Sequence, residues 1–216
     1  MNNQLANFRN LVTLPDGSRV LLRPLAGTDQ QGLVELFART SEEDRRYLVD
    51  DVTNRELVAG WADNLDYNKV FPLVAVINDR LVGDATLHFR KGAHRHQGEL
   101  RIYLAPEVRR RGLGMRMLQT LIDLGRSVGL HQLVARVVTD QGPVIKAFEE
   151  LGFRRQCTLV DYFMLPDSST RDMALMVLPP AAPLGHLSSS YSQAPIPRLP
   201  ASSAQARMHV IHCWPM

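Results

Sequence analysis

The chain has 216 residues, 45% of them hydrophobic and 22% charged, which is the composition of a soluble globular protein. The net charge is only +3, and Arg198 and Arg207 are the only charged residues beyond position 178. A body this close to neutral argues against a nucleic-acid partner. No apolar run is long enough to span a membrane, and the first residues lack a signal-peptide core, so we expect a cytoplasmic protein without a membrane partner.

The first half of the chain combines helical and strand patterns. Apolar residues recur at helical spacing in two segments, and two apolar runs flank the turn residues Asn78-Asp79. The predicted elements are a strand over 19–23, a helix starting at Thr28 or Asp29, a helix over 56–64 that buries Leu57, Val58 and Trp61, and strands over 71–77 and 81–89.

The second half predicts four more strands and two more helices. They are a strand over 100–104, a helix starting at Gly114, a strand over 132–138, a helix over 144–151 that ends at Gly152, and strands over 154–163 and 171–178. The whole order predicts an α/β (α+β) fold, a mixed and mostly antiparallel twisted sheet of about seven strands flanked by about four helices.

The composition changes at Pro179, because seven of the thirteen prolines fall in the last 38 residues, with Ser and Ala between them. We expect a single domain over 1–178 and a disordered tail over 179–216. Of the two cysteines, Cys157 and Cys213, the second lies in this tail, so two free thiols are expected rather than a disulfide.

The most informative stretch runs from Glu99 to Val128. An apolar strand leads into a loop that carries Arg109-Arg110-Arg111-Gly112-Leu113-Gly114, and an amphipathic helix follows. Glycines allow a ligand to approach the backbone, and the first amides of a helix point outward as donors, so this arrangement predicts a phosphate site. The G-x-G-x-x-G pattern of dinucleotide sites fails at Met117, and no Gly-Lys-Ser/Thr is present for a Walker A loop.

A second motif, Leu151-Gly152-Phe153, follows the next strand and helix. Together with Arg109-x-x-Gly112-x-Gly114, it makes residues 12–178 resemble the GNAT superfamily of acyl-CoA N-acyltransferases. The resemblance implies the GNAT fold and acetyl-CoA as the acetyl donor, without a metal. It also implies that the loop amides hold the CoA pyrophosphate and that the strand before them pairs with the pantetheine arm. The CoA-binding residues that it implies are Ile102, Tyr103, Leu104, Arg109, Arg110, Arg111, Gly112, Leu113, Gly114, Met115 and Gln141. The side chains of Arg110 and Arg111 are equally well explained as solvated surface.

Shorter segments resemble the Pat-type protein lysine acetyltransferases, one branch of that superfamily. They are the opening LPDGSRVLLRPLAGTDQQGL, Asp66-Tyr67 before an apolar strand, and the segment 137–144, in which Gln141 stands where this branch usually has Asn. Glu99 lies ten residues before Arg109, at the position of the branch's catalytic glutamate. This narrower resemblance implies a protein lysine as acceptor and Glu99 as the catalytic base.

A base is required because a free lysine, with a pKa near 10.4, is almost entirely protonated at neutral pH. On an extended strand Glu99, Arg101 and Tyr103 share one face, and Leu100, Ile102 and Leu104 share the other. We expect partial burial to raise the pKa of Glu99, which suits a base. The structural alternative is a carboxylate that pairs with Arg101 or another neighbour.

For the other polar residues the sequence gives only weak support for a functional role. Many GNAT enzymes carry a tyrosine as general acid at the position of Phe148, so that role does not transfer, and Tyr103 and Tyr162 are read mainly as structural. His88 is read as a strand residue, and His94 and His96 lack the neighbours of a metal site. The acidic residues Glu42, Glu43, Asp44, Asp50 and Asp51 are interpreted first as a solvated helical face and second as attracting a cationic amine.

The sequence therefore predicts an acetyltransferase that acts on a protein lysine, as a monomer or homodimer. A small amine is the alternative acceptor. A non-catalytic module that binds or senses acyl-CoA is the alternative function.

Overall fold

The computed structural model describes residues 7–180. Eight strands form one sheet: β1 Asn10–Thr13, β2 Arg19–Pro24, β3 Val70–Ile77, β4 Arg80–Phe89, β5 Gln97–Leu104, β6 Gln132–Val138, β7 Arg154–Met164 and β8 Thr170–Leu178. Five α-helices flank it: α1 Gln30–Ala38, α2 Glu42–Arg45, α3 Arg55–Asp63, α4 Leu113–Ser127 and α5 Gly142–Glu150.

The strand order across the sheet is β1-β2-β3-β4-β5-β6-β8-β7. Neighbouring strands run antiparallel except β5 and β6, which are parallel and are joined by α4. A parallel pair needs a crossover connection, which α4 supplies, whereas the antiparallel pairs β1–β2, β3–β4 and β7–β8 are joined by short turns. This confirms the predicted mixed, mostly antiparallel sheet.

The helices cover the two faces of the sheet separately. Phe37 of α1 stacks on Tyr103 of β5, with ring centroids 5.0 Å apart, and also meets Trp61 of α3. On the opposite face α4 packs closely against β5. A Cβ atom added to Gly114 of α4 would lie only 3.2 Å from Cδ1 of Leu104. The alternation predicted for residues 99–104 is therefore confirmed, with Tyr103 towards α1 and Leu104 towards α4.

Several details differ from the sequence prediction. The strand β1 was not predicted, and the short helix α2 was expected only as a solvated helical face without bounds, because four-residue elements carry little periodic signal. Leu57 is 39% exposed, although Val58 beside it is buried as predicted. The long helix begins at Leu113, one residue before the predicted start, with Gly112 as its N-terminal cap.

The predicted tail lies outside the described residues apart from Pro179 and Pro180, and so does Cys213. Cys157 is an exposed free thiol on β7. Within residues 7–180, no helix has the length and apolar character needed to cross a membrane.

Candidate active site

The two parallel strands β5 and β6 separate along their length. They pair only at their first three positions, Gln97 with Gln132, Gly98 with Leu133 and Glu99 with Val134. Beyond these positions β5 continues to Leu104 paired only with β4, and β6 continues to Val138 paired only with β8. We call the resulting opening between the two strands the fork, with its closed end at Glu99 and its open end beyond Leu104.

A loop with exposed amides stands at the open end of the fork. Arg110 and Gly112 both have positive φ, 59° and 80°, and Gly112 begins α4 without any side-chain cap. No acceptor among the described residues takes a hydrogen bond from the backbone amides of residues 110–115. Amides that converge at the start of a 15-residue helix form a binding site for an anion. This geometry fits the phosphates of CoA.

Two of the three arginine side chains of this loop, those of Arg109 and Arg111, are bound to nearby carboxylates. The Arg109 guanidinium donates to both oxygens of Asp44 at 3.0 and 2.9 Å, and its Nε donates to the carbonyl oxygen of Leu104 at 2.9 Å. Those hydrogen bonds lower the pKa of Asp44. Arg111 donates to Asp16 at 3.1 Å. The loop therefore offers a phosphate its backbone rather than the guanidiniums of Arg109 and Arg111.

The other residues predicted to bind CoA lie along the fork. Ile102 and Leu104 turn their side chains towards Gly114 of α4. Tyr103 turns its ring to α1, and its hydroxyl accepts a hydrogen bond from Thr40 at 2.8 Å, so its backbone alone faces the fork. Met115 is partly buried in the first turn of α4, and Gln141 immediately precedes α5, three residues beyond the end of β6.

Glu99 marks the closed end of the fork and is 4% exposed. Arg136 of β6 donates to both its oxygens at 2.8 and 2.9 Å, Arg90 donates at 2.5 Å, and Arg101 donates at 3.3 Å. Burial alone would raise the pKa of Glu99, but the hydrogen bonds from Arg136 and the charges of the three arginines outweigh it, so the pKa is lowered. The predicted raised pKa is therefore wrong, and the alternative of pairing with neighbouring arginines is what the structure shows.

His88 is the register partner of Glu99 on β4. Its Nε2 lies 2.9 Å from Oγ1 of Thr86. Burial, reinforced by the charge of Arg101, lowers the pKa of His88 to about 4, so the ring is neutral at physiological pH. In the part of the chain that the structure describes, no group of three or more His, Cys, Asp or Glu side chains is placed to hold a metal ion.

Asp84 lies on β4 opposite Tyr103 and was not predicted as a site residue from the sequence. Its carboxylate faces the same side of the sheet as Glu99 and has neither a hydrogen bond nor an ion pair with any of residues 7–180. Burial raises its pKa to about 7. A signal was present in the sequence, because a charged residue interrupts the apolar strand LVGDATL, as Arg136 interrupts LVARVV.

No tyrosine hydroxyl stands at the position of Phe148, whose buried ring packs edge-on against Phe153 with centroids 5.0 Å apart. Tyr103 is engaged with Thr40, and burial raises its pKa. Tyr162 is 55% exposed on β7, on the side of Arg136. Both tyrosines thus have the surroundings of structural or surface residues.

Comparison with known proteins agrees with this architecture. Residues 32–153 match the family model described as the acetyltransferase (GNAT) family. The chain is 30% identical over 169 residues to mycothiol acetyltransferase of Actinosynnema mirum. The aligned region covers 75% of this chain and 53% of that protein. The chain thus spans about half the length of the curated relative it matches.

Two solved structures share the fold. Mycobacterium smegmatis RimJ in complex with CoA-disulfide superimposes with a TM-score of 0.67 at 19% identity, over 79% of this chain and 86% of that one. The GNAT domain of S. lividans PAT gives a TM-score of 0.64 at 16% identity, over 79% of this chain and 96% of that one. At these identities the likeness concerns the fold alone.

Proposed function

Because this chain belongs to the acetyltransferase (GNAT) family, we propose that it transfers the acetyl group of acetyl-CoA to a primary amine. The observation that carries the proposal is the fork between β5 and β6, with unpaired strand edges along it and exposed helix amides at its open end. An extended ligand with a phosphate at one end fits that combination, since a strand edge hydrogen-bonds an extended chain and a helix N-terminus binds phosphate.

In this proposal the amides of residues 110–115 hold the pyrophosphate, and the backbone of residues 102–104 pairs with the pantetheine arm. The thioester then lies towards the closed end of the fork, near Glu99 and Arg101. Gln141 and Met115 border the open end. The Arg109 side chain holds the loop in place by donating hydrogen bonds to Asp44 and to the carbonyl oxygen of Leu104.

We propose a protein lysine as the acceptor and a small amine as the second candidate. The resemblance of segments of the chain to Pat-type enzymes supports the lysine. The relative named mycothiol acetyltransferase supports the small molecule. In both cases the neutral amine nitrogen attacks the thioester carbonyl, the carbon–sulfur bond breaks, the nitrogen releases its extra proton to solvent, and CoA leaves as a thiolate that is protonated from solvent.

The acceptor ammonium must lose a proton, and two carboxylates on the acceptor side are candidates for taking it. Glu99 lies where Pat-type enzymes carry their catalytic glutamate. Its lowered pKa keeps it ionised throughout the physiological range, although three guanidiniums share its oxygens. Asp84 has free oxygens and a pKa of about 7, which is close to the optimum for a base at neutral pH. We propose Glu99 as the base because of its position in the sequence, and Asp84 as the second candidate.

The first experiment measures release of the CoA thiol from acetyl-CoA with lysine peptides, intact proteins and polyamines as acceptors. Glu99→Gln is expected to retain acetyl-CoA binding and to lower turnover about tenfold or more near neutral pH. Unchanged turnover in a folded variant removes Glu99 from the mechanism. Binding of acetyl-CoA without release for any acceptor supports the non-catalytic alternative.

The pH dependence of kcat/KM separates the two carboxylates. If Asp84 takes the proton, activity falls below about pH 7, and Asp84→Asn abolishes this limb. If Glu99 takes it, the corresponding limb lies below the ordinary glutamate pKa of about 4.3, and Asp84→Asn leaves the profile unchanged. The same acceptor is used for all variants, so the titration of its own amine contributes equally.

A further inference from the structure

The closed end of the fork carries more positive than negative charge. Three guanidiniums, from Arg90 after β4, Arg101 of β5 and Arg136 of β6, converge on the single carboxylate of Glu99. Their side chains remain 45%, 35% and 29% exposed, whereas that of Glu99 is 5% exposed. One carboxylate neutralises one of these charges, so the cluster presents an accessible positive excess.

Neighbouring acids do little to cancel this excess. Asp50 approaches Arg101 only to 3.9 Å and is 52% exposed, a geometry in which an ion pair contributes little. His88 is neutral, since burial and the charge of Arg101 lower its pKa to about 4. Asp84 shares the face but has no arginine partner.

Arg101 makes the longest hydrogen bond to Glu99 of the three arginines. Its Nε makes one long hydrogen bond of 3.3 Å to Glu99. Its two terminal nitrogens have no hydrogen-bond partner among residues 7–180. A guanidinium with free donors in a fixed plane is suited to a carboxylate or phosphate.

The cluster is not needed for the phosphates of CoA. At a rise of about 3.3 Å per residue, Leu104 lies about 16 Å from Glu99 along β5, and the phosphate-binding loop lies beyond Leu104. The cluster also faces α1, whereas α4 packs on the opposite face. Its free positive charge is therefore available to the second substrate.

We propose that the acceptor is an amine whose own molecule carries a carboxylate or other anionic group, which the Arg90–Arg101–Arg136 cluster binds beside the reacting nitrogen. This rests on the acetyl transfer proposed above and names the class of its acceptor. A polyamine, which is cationic throughout, is disfavoured at such a site because like charges repel. A lysine flanked by acidic residues and a small amino acid share the required chemistry.

The test uses matched acceptor pairs that differ only in charge. One pair is a peptide with a lysine between two glutamates and its twin with two glutamines. The other is 4-aminobutyrate and 4-aminobutyramide. We expect the acidic member to have a kcat/KM about tenfold or more above its amide twin at low salt, with the ratio shrinking as salt rises. A preference confined to the peptide pair identifies a protein acceptor, and one confined to the small pair identifies a small molecule.

Arg101→Gln is expected to reduce the acid-to-amide ratio below about threefold, and because both members of a pair are measured on the same variant, a change in its basal rate cancels from the ratio. Arg126→Gln, which removes the same charge from an exposed position near the end of α4, serves as the control and should keep the wild-type ratio. Amide twins used as well as acidic ones, or a ratio insensitive to Arg101→Gln, overturn the inference while leaving the acetyl transfer intact. Absence of CoA release with every acceptor overturns the transfer itself.

Discussion

The two ends of β5 use arginine in opposite ways. At the open end, Arg109 and Arg111 are each bound to an acid, Asp44 and Asp16, and the backbone amides are left exposed. At the closed end, three arginines share Glu99 and keep accessible charge. An arginine in a motif is therefore not by itself a ligand-binding group, because a neighbouring carboxylate can already occupy its guanidinium.

The largest effect is expected from removing the carboxylate at the closed end. Glu99→Gln leaves three guanidiniums without their shared partner and should lower the free energy of unfolding by about 2–4 kcal/mol at pH 7. Because the folded pKa of Glu99 is lowered, its stabilisation is present above the unfolded value and is lost as pH falls through the folded one. Thermal melts of the two proteins should therefore converge below about pH 4.

Equal melting temperatures at pH 7 would show that the cluster contributes little to stability. The acetyl-CoA affinity of Glu99→Gln, measured at a temperature where it is folded, separates this structural loss from any loss of catalysis.

Removing the carboxylate of Asp84 should raise the free energy of unfolding at neutral pH, whereas removing that of Glu99 lowers it. Its folded pKa is raised to about 7, so the wild-type protein loses stability between about pH 4 and pH 7 as a partly buried, unpaired carboxylate ionises. Asp84→Asn should melt at the wild-type temperature at pH 4 and be more stable by roughly 2 kcal/mol at pH 8. A variant that gains stability and loses activity is what a functional carboxylate predicts, whereas a destabilised Asp84→Asn at pH 8 contradicts an unpaired carboxylate.

A backbone change at the open end tests the amides. Gly112→Val places a β-branched residue at a φ of 80°, which costs about 1–2 kcal/mol because Cβ crowds the backbone in this region. We expect acetyl-CoA affinity, measured by calorimetry, to fall about tenfold as the loop rearranges. Wild-type affinity in this variant is incompatible with a site built from these amides.

The smallest effect is expected from the motif arginine itself. Arg109→Gln breaks a half-exposed pair with Asp44 and should cost about 1 kcal/mol of stability. Because the loop amides remain, acetyl-CoA affinity should change less than about threefold. A loss as large as that of Gly112→Val would mean that the guanidinium leaves Asp44 to bind phosphate, and the difference between the two ends of β5 would then disappear on binding.

The sequence by itself determined the local features. The two-residue alternation along 99–104 assigned each side chain to its face, and the order of strand, glycine loop and helix predicted the helix start that we propose as the phosphate site. Both follow from backbone geometry over a few consecutive residues. The turn at Asn78-Asp79 is equally local, with φ values of 48° and 60° as its residue types predict.

Only the tertiary structure decided which charges meet. Arg109 and Asp44 are 65 residues apart in the chain, and Arg136 and Glu99 are 37 apart, so no local pattern pairs them. The sequence predicted Glu99 on a strand but the wrong direction for its pKa, since the strongest opposing interaction comes from Arg136, which only the fold brings next to it. Asp84 shows the same principle in reverse. The fold brings it no cation, so burial acts without opposition and raises its pKa.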